Sequence, residues 1–227
     1  MTRTQPHDSS SLQALLRRSA ALLERGEVVN AGTALQQALS EHPNSAAAHH
    51  AMAMFASRTG RNDAALHHIA LAASLDPGSG TLQLAHGCLL AHHGQLLAAI
   101  APLRSSSCLD PENVEAWYFL GTTLARCQHY LEAIEALGKA RALAPESTRV
   151  LNALADVQFH AGYPEDALPL WRERAAAQPY DINSILKLGE TLSRLQYYKE
   201  SQALFAEKLD QYSYDLNKAK ELLDKAG

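Results

Sequence analysis

Prolines recur along this chain at a constant interval of 34 residues. Five of them follow one another at this spacing, namely Pro43, Pro77, Pro111, Pro145 and Pro179. Four glycines keep the same interval with one member skipped, and alanines keep it in the same five segments. Because three residue types share one register, the chain is a tandem repeat with a period of 34 residues.

Each repeat has room for two amphipathic helices. If the proline is position 32, the repeats cover 12–45, 46–79, 80–113, 114–147, 148–181 and 182–215. In the fourth repeat, Trp117, Leu120 and Leu124 form one apolar stripe with helical spacing, and Ala133 and Leu137 belong to a second. Glycine at position 15 can end the first helix, and the proline ends the second. The pattern predicts an all-α protein.

Small side chains occupy two positions at which the helices of a pair should touch. Position 20 is alanine in five repeats and Ser201 in the sixth. Position 8 is never large, and its occupants are Ser19, Ala53, Gly87, Gly121, Ala155 and Gly189. A large residue at either position would force the two helices apart.

With these positions in place, the chain resembles the tetratricopeptide repeat family. The family pattern has Trp at position 4, Leu-Gly at 7 and 8, Ala at 20 and 27, and Pro at 32. The best match is the fourth repeat, through Trp117, Leu120, Gly121, Ala133, Ala140 and Pro145. The resemblance implies a right-handed superhelical solenoid of antiparallel helix pairs, with the first helices lining a concave groove that binds partner proteins. Position 27 departs from the pattern at Arg174 and Lys208.

The two ends of the chain lack a complete repeat. Residues 1–11 are polar and aperiodic, which predicts a flexible leader. Residues 216–227 have the spacing of a further first helix, so they are expected to form a capping helix or a truncated seventh repeat. Basic residues change from mostly arginine to mostly lysine after Tyr180, and no origin for this change is assigned.

Composition excludes several classes of protein. A formal charge of −4 offers no basic face for nucleic acid. The three cysteines form no CxxC pair, and no segment has the roughly 20 apolar residues that span a bilayer or the apolar core of a signal peptide. We therefore expect a cytoplasmic protein without membrane insertion.

No catalytic motif is present, so the chain is predicted not to be an enzyme and to need no cofactor. Adjacent histidines on a helix point about 100° apart and cannot readily share one ion, which argues against a metal site. The thiol of Cys88 is expected to serve as a small apolar side chain and not as a nucleophile.

The resemblance places the binding surface on the first helices. The first three repeats contribute an apolar wall, composed of Leu16, Leu23, His50, Met54, Leu84, Cys88 and His92. The later repeats contribute the candidate partner-binding residues, which are Tyr118, Phe119, Thr122, Arg126, Asn152, Asp156, Phe159, His160, Lys187, Glu190 and Arg194. Aromatic rings beside Arg and Asn can anchor a peptide. Alternatively, Phe119 and Phe159 pack inward, and Glu190 or Asn152 pair along their own helices.

Three functions are compatible with these features. The first is a non-enzymatic scaffold or adaptor that binds a peptide or helix of a partner in the groove. The second is the N-terminal recruiting or targeting segment of a larger enzyme, such as a transferase or hydroxylase. The third is a structural module that forms a homo-oligomer through its apolar wall.

Overall fold

The described part of the chain is built from helices only. The computed structural model describes residues 6–179, 181–197, 200 and 203–204. The helices are α1 (Pro6–Glu24), α2 (Val28–Glu41), α3 (Ala46–Arg58), α4 (Asn62–Leu75), α5 (Gly80–His92), α6 (Leu96–Leu109), α7 (Val114–Arg126), α8 (Tyr130–Leu143), α9 (Thr148–His160), α10 (Pro164–Ala177) and α11 (Ile182–Arg194).

The chain divides into two compact bodies, which we call the N-terminal body (residues 1–127) and the C-terminal body (residues 128–227). In the N-terminal body, α1 pairs with α2, α3 with α4 and α5 with α6, and each pair packs on the first helix of the next repeat. In the C-terminal body, α8 packs on α9, and α10 packs on both α9 and α11. Antiparallel helix pairs are therefore the building blocks, as predicted.

The N-terminus differs from the prediction. Helix α1 begins at Pro6, so residues 6–11, expected to be a flexible leader, are helical. Proline is tolerated at the first position of a helix because its missing N–H would have no helical partner there. The predicted capping segment 216–227, Ser201 and Lys208 lie outside the described residues.

The turn within each repeat depends on a left-handed residue at position 15. Gly26, Gly60, Gly94 and Gly162 have φ between 72° and 90° there. The fourth and sixth repeats place Gln128 and Gln196 at this position, each with φ of 63°. The turn geometry is therefore the same with or without glycine, although a side chain in this region costs about 1–2 kcal/mol.

Each second helix ends two residues before the proline at position 32. The carbonyl group of that proline then accepts a hydrogen bond from position 4 of the next repeat in three cases. Trp117 Nε1 donates to Pro111 O at 2.8 Å, His49 Nε2 lies 2.9 Å from Pro43 O, and Gln83 Nε2 donates to Pro77 O at 3.5 Å. The proline thus ends one repeat and anchors the next.

Position 34 supplies the cap of the following helix. Ser45, Ser79 and Asn113 each accept a hydrogen bond from the backbone N–H three residues later. Such caps contribute roughly 1 kcal/mol each. The recurrence of Ser, Asn and Asp at position 34 indicates where each following first helix begins. The spacing of the prolines does not give this information.

Close contact between paired helices requires the small residues at positions 8 and 20. The five alanines at position 20 are fully buried, and the described occupants of position 8 are all buried. At Gly87, an added Cβ would lie 2.5 Å from Leu103 Cγ and 3.2 Å from Ala99 O. Helices α5 and α6 therefore approach too closely for any side chain at this position.

Replacing Gly87 by alanine should lower the free energy of unfolding by about 1–3 kcal/mol, because Leu103 and the α6 backbone must move. Gly138 is the matched control, since an added Cβ there meets nothing within 4 Å. Gly138→Ala should instead stabilise the protein by roughly 0.5–1 kcal/mol through helix propensity. Urea denaturation of both variants measures this difference, and changes of the same sign would contradict it.

Arg174, the departure at position 27, is a buried cation with a defined partner. Its Nη2 atom lies 2.9 Å from Asp181 Oδ2, and its side chain is only 10% exposed. Asp181 is also the N-cap of α11, where it accepts hydrogen bonds from Asn183 N and Ser184 Oγ. The arginine therefore ties α10 to the start of α11, a role that the sequence did not reveal.

These contacts hold the pKa of the Asp181 carboxyl below its ordinary value. The largest cause is the Ser184 hydroxyl, and the Arg174 charge and two backbone N–H groups also contribute. The stabilisation is present above the unfolded pKa of about 4 and is lost as pH falls through the lower folded pKa.

Asp181→Ala should cost about 2–4 kcal/mol, because it removes a cap and leaves a buried guanidinium unpaired. Arg174→Ala should cost less, because position 27 holds a small side chain in the first four repeats. These residues are Ala38, Ala72, Ser106 and Ala140, and all are fully buried. Denaturation at neutral pH and near pH 3 measures both effects. An Asp181→Ala penalty that is equally large near pH 3 would contradict the role of the charge.

Candidate functional site

In the C-terminal body, the candidate residues of α9 and α11 come together as one surface. We call this surface the α9–α11 patch, and its members are Asn152, Asp156, Phe159, His160, Lys187, Glu190 and Arg194. They occupy positions 5, 6, 9, 12 and 13 of their repeats, which helical spacing places on one face of each first helix. These seven candidate residues therefore share one surface, and their role in partner binding stays a prediction.

Lysine and two carboxylates form a small charge network in the patch. Lys187 Nζ lies 3.5 Å from Asp156 Oδ1 on the facing helix and 3.4 Å from Glu190 Oε2 on its own helix. The second contact is the pairing of Glu190 along its own helix, which is the alternative to a role of Glu190 in partner binding. Because these side chains are a third to a half exposed, each ion pair contributes little to stability.

Arg194 covers the ring of Phe159. Its guanidinium carbon lies 4.8 Å from the ring centroid, and its Nη1 donates to Phe159 O at 3.4 Å. Phe159 also packs against a core cluster that includes Ala155, Trp171 and Leu192. The ring is therefore partly a core side chain, as the inward-packing alternative proposed, and its outer surface is a cation–π platform.

One acceptor atom in the patch, Asn152 Oδ1, is buried without a hydrogen-bond partner. Asp156 Oδ1 is also buried and accepts no hydrogen bond, but its ion pair with Lys187 Nζ at 3.5 Å compensates its charge. No hydrogen bond joins Asn152 to Asp156 within the described residues, although such a pair was considered from the sequence. His160 Nδ1 lies 2.7 Å from the backbone oxygen of Asp156 and so does not serve either atom. Buried polar atoms normally have a partner, so Asn152 Oδ1 requires an explanation.

In the N-terminal body, the candidate residues of α7 form a separate strip. The rings of Tyr118 and Phe119 meet edge to face with centroids 5.4 Å apart, and both side chains are partly buried. Thr122 Oγ1 donates to Tyr118 O at 2.9 Å, which turns its hydroxyl back onto its own helix. The strip therefore offers aromatic surface to a partner, and the Thr122 hydroxyl proton is not available to donate to a ligand.

Arg126 has the same arrangement on α7 that Arg194 has on α11. Its Nη1 donates at 3.3 Å to Ala91 O, near the C-terminus of α5. A cation at a helix C-terminus is favoured by the helix dipole. Position 13 arginines thus have a structural role in addition to any contact with a partner.

The apolar wall of the first three repeats is only partly open. Leu16 and Leu23 pack against a core cluster, whereas Met54 and His92 are exposed. Burial lowers the pKa of His50 and raises the pKa of the Cys88 thiol to about 11, with the Glu115 charge contributing to the second shift. Cys88 therefore stays protonated at neutral pH and is a poor nucleophile.

Two clefts of the N-terminal body were not anticipated from the sequence. One, of about 370 Å³, is lined by residues that include Val28, Val29, Phe55 and Arg61. The other, of about 480 Å³, is lined by residues 94–98 with Arg126 and Cys127. Each holds a strongly exposed aliphatic residue, Val29 or Leu97, at the second position of a second helix. An apolar residue at position 18 recurs in the sequence, and it could have indicated these clefts.

Within the described residues, no group of three histidine, cysteine or acidic side chains is arranged to hold a metal ion. No helix in this part of the chain has both the length and the apolar character required to cross a membrane.

Comparison with known proteins identifies the fold. A tetratricopeptide repeat family model matches residues 114–147, the fourth repeat. A search of curated proteins gives no match. The structure titled "Functional Characterization of Pseudomonas Aeruginosa pilF" is similar over 94% of this chain and 99% of that one, with 19% identity and a TM-score of 0.70.

Two further solved structures have the same fold. A tetratricopeptide repeat protein from Parabacteroides merdae is 18% identical, with 88% of this chain and 80% of that chain covered and a TM-score of 0.72. YrrB, titled a TPR protein with an unusual peptide-binding site, is 18% identical, with 75% and 88% covered and a TM-score of 0.67. The repeat motif, the helix pairs and these likenesses together show that this chain has the tetratricopeptide repeat fold, and its fourth repeat matches the family model.

Proposed function

We propose that the chain is a non-enzymatic scaffold that binds an extended peptide of a partner protein through the α9–α11 patch. Tetratricopeptide repeat folds suggest protein–protein interaction, and this general assignment follows from the fold. The more specific proposal rests on the buried acceptor Asn152 Oδ1, which lacks a hydrogen bond. Peptide backbone N–H groups are donors of the kind that this oxygen needs.

The remaining patch residues suit the same ligand. Lys187 and Arg194 are donors for peptide carbonyl or carboxylate groups, and Phe159 with Arg194 provides a flat surface for an apolar side chain. A ligand that brings both donors and acceptors would satisfy the patch without requiring a net charge of one sign. A peptide backbone has this property, whereas a simple anion or cation does not.

We assign Tyr118, Phe119, Thr122 and Arg126 to partner binding as a second contact surface, on the N-terminal body. The aromatic pair of Tyr118 and Phe119 supplies contact area at a low cost in side-chain entropy. YrrB is described as having a peptide-binding site, which makes a peptide a reasonable ligand class for this fold.

Affinity capture from the native cell, with mass spectrometry, should identify partners that bind the wild type and are lost from Asn152→Ala and Arg194→Ala. Titration calorimetry with a captured partner should then give a loss of about 1–2 kcal/mol for each variant, with an unchanged melting temperature. Phe159→Ala should lower both affinity and melting temperature, because its ring also packs in the core.

Arg172→Ala is the matched control, since this arginine is exposed on α10 and pairs with Glu200 outside the patch. It should retain the same partners with the same affinity. The proposal would be refuted if Asn152→Ala and Arg194→Ala bound every partner as the wild type does, while Phe159→Ala lost only stability.

A further inference from the structure

Two histidines of the second repeat form a contact that peptide binding does not use. His49 of α3 is buried, and its ring stacks on the ring of His68 of α4 with centroids 5.2 Å apart. The two Nδ1 atoms lie 3.0 Å apart, which is a hydrogen-bond distance. One proton, and only one, can lie between these nitrogens.

The other nitrogen of His49 fixes its protonation. His49 Nε2 lies 2.9 Å from the carbonyl oxygen of Pro43, which can only accept a hydrogen bond. In the fourth repeat the equivalent atom is Trp117 Nε1, which can only donate, and it donates to Pro111 O. The same bond in the second repeat therefore requires a proton on His49 Nε2. His49 therefore carries its proton on Nε2 and, when neutral, accepts at Nδ1 from the Nδ1–H of His68.

The pair can bind one further proton without losing this bond. His68 Nε2 is bare in the neutral pair, so it can be protonated while His68 Nδ1–H still donates to His49. A second proton has only His49 Nδ1 left to occupy. Two N–H groups and two positive charges would then face each other at 3.0 Å, and the contact must open.

The surroundings offer this pair no compensating carboxylate. Neither His49 nor His68 forms an ion pair with an acidic side chain within the described residues, and the groups that act on His68 are His49 and His67. The other titratable or charged side chains described on α1 to α5 and their connections are Arg17, Arg18, Glu24, Arg25, Glu27, Glu41, His42, His50, Arg58, Arg61, Asp63, Asp76, His86, Cys88 and His92. None of these forms a hydrogen bond with either ring.

Burial and neighbouring charge act in the direction that this geometry requires. The pKa of His68 is lowered, chiefly by burial and then by His49 and His67. The pKa of His50, beside His49 on α3, is also lowered by burial. Protonation of this region is therefore opposed in the folded state.

We propose that the His49–His68 pair is a pH-sensitive lock on the second repeat. The lock joins three segments, namely the Pro43 turn, α3 and α4. It is closed while the pair holds at most one added proton, and the second proton opens it. Opening removes the bond between α3 and α4 while the bond of His49 to Pro43 O is retained, so the helix pair is loosened at this point.

The sign of the pH dependence follows from proton counts. Below the ordinary histidine pKa of about 6.5, the opened repeat can bind two added protons, whereas the closed pair can bind at most one, at His68 Nε2. Closure is therefore favoured above this pH and weakens as pH falls below it. The equilibrium constant for opening should rise by at least about tenfold for each pH unit below it.

Hydrogen–deuterium exchange of the full chain tests the lock, read on peptides from α3 and α4 and corrected for the intrinsic rate at each pH. The key variant is His49→Gln, because Gln83 at the equivalent position of the third repeat bonds to Pro77 O and glutamine does not titrate. His68 can be protonated in both proteins, so only the wild type gains a further proton at position 49 when the repeat opens. Between about pH 6.5 and about pH 5.5, wild-type protection should therefore fall about tenfold more than that of His49→Gln. Equal pH dependence in the two proteins would overturn the proposal.

His92→Asn is the matched control, because His92 is an exposed histidine of the same body that does not contact the pair. This variant should retain the wild-type pH dependence. If His49→Gln does not fold, the wild type alone still decides. Imidazole ¹⁵N shifts should then show two separated protonation steps for His49 and His68, and independent titration of both rings near the ordinary pKa would overturn the lock.

Discussion

Close approach of two helices at positions 8 and 20 is the constraint on which this structure depends. At Gly87 the backbone of α5 lies so near Leu103 and Ala99 of α6 that even a methyl group is excluded. The alanines at position 20 provide the matching surface and are fully buried. With the pairs set at this distance, the large residues between them fill the remaining space and the next repeat can stack on the result.

Much of the architecture could be predicted because it repeats. A 34-residue register of Pro, Gly and Ala predicts the helix pairs, their turns and the tetratricopeptide fold, since each of these residues acts locally on the backbone. The features that sequence could not provide are single contacts between particular side chains. The bond between Arg174 and Asp181 and the one between His49 and His68 depend on which rotamers meet across a packed interface, and no periodic signal reports this.

The candidate binding residues show the same limit. Helical spacing groups Asn152, Asp156, Lys187 and Arg194 on one face of their helices, because position within a repeat determines the face, and their role in binding stays a prediction. Spacing does not report that Phe159 is shared between core and surface, or that the position 13 arginines contact the carbonyl groups of the preceding first helix. The two bodies therefore each combine structural and exposed functions in the same side chains, and sequence alone cannot separate these roles.

The glutamines at the turns of the fourth and sixth repeats have a consequence for how the array opens. Repeat proteins behave as a line of neighbouring modules, in which fraying starts where one module is weakest. Gln128 and Gln196 hold a left-handed backbone that glycine adopts without steric cost, so their turns store energy that the other four do not. Transient unfolding in these two repeats is thereby biased to begin at the turn that follows α7 or α11, and the neighbouring modules can remain folded while it occurs.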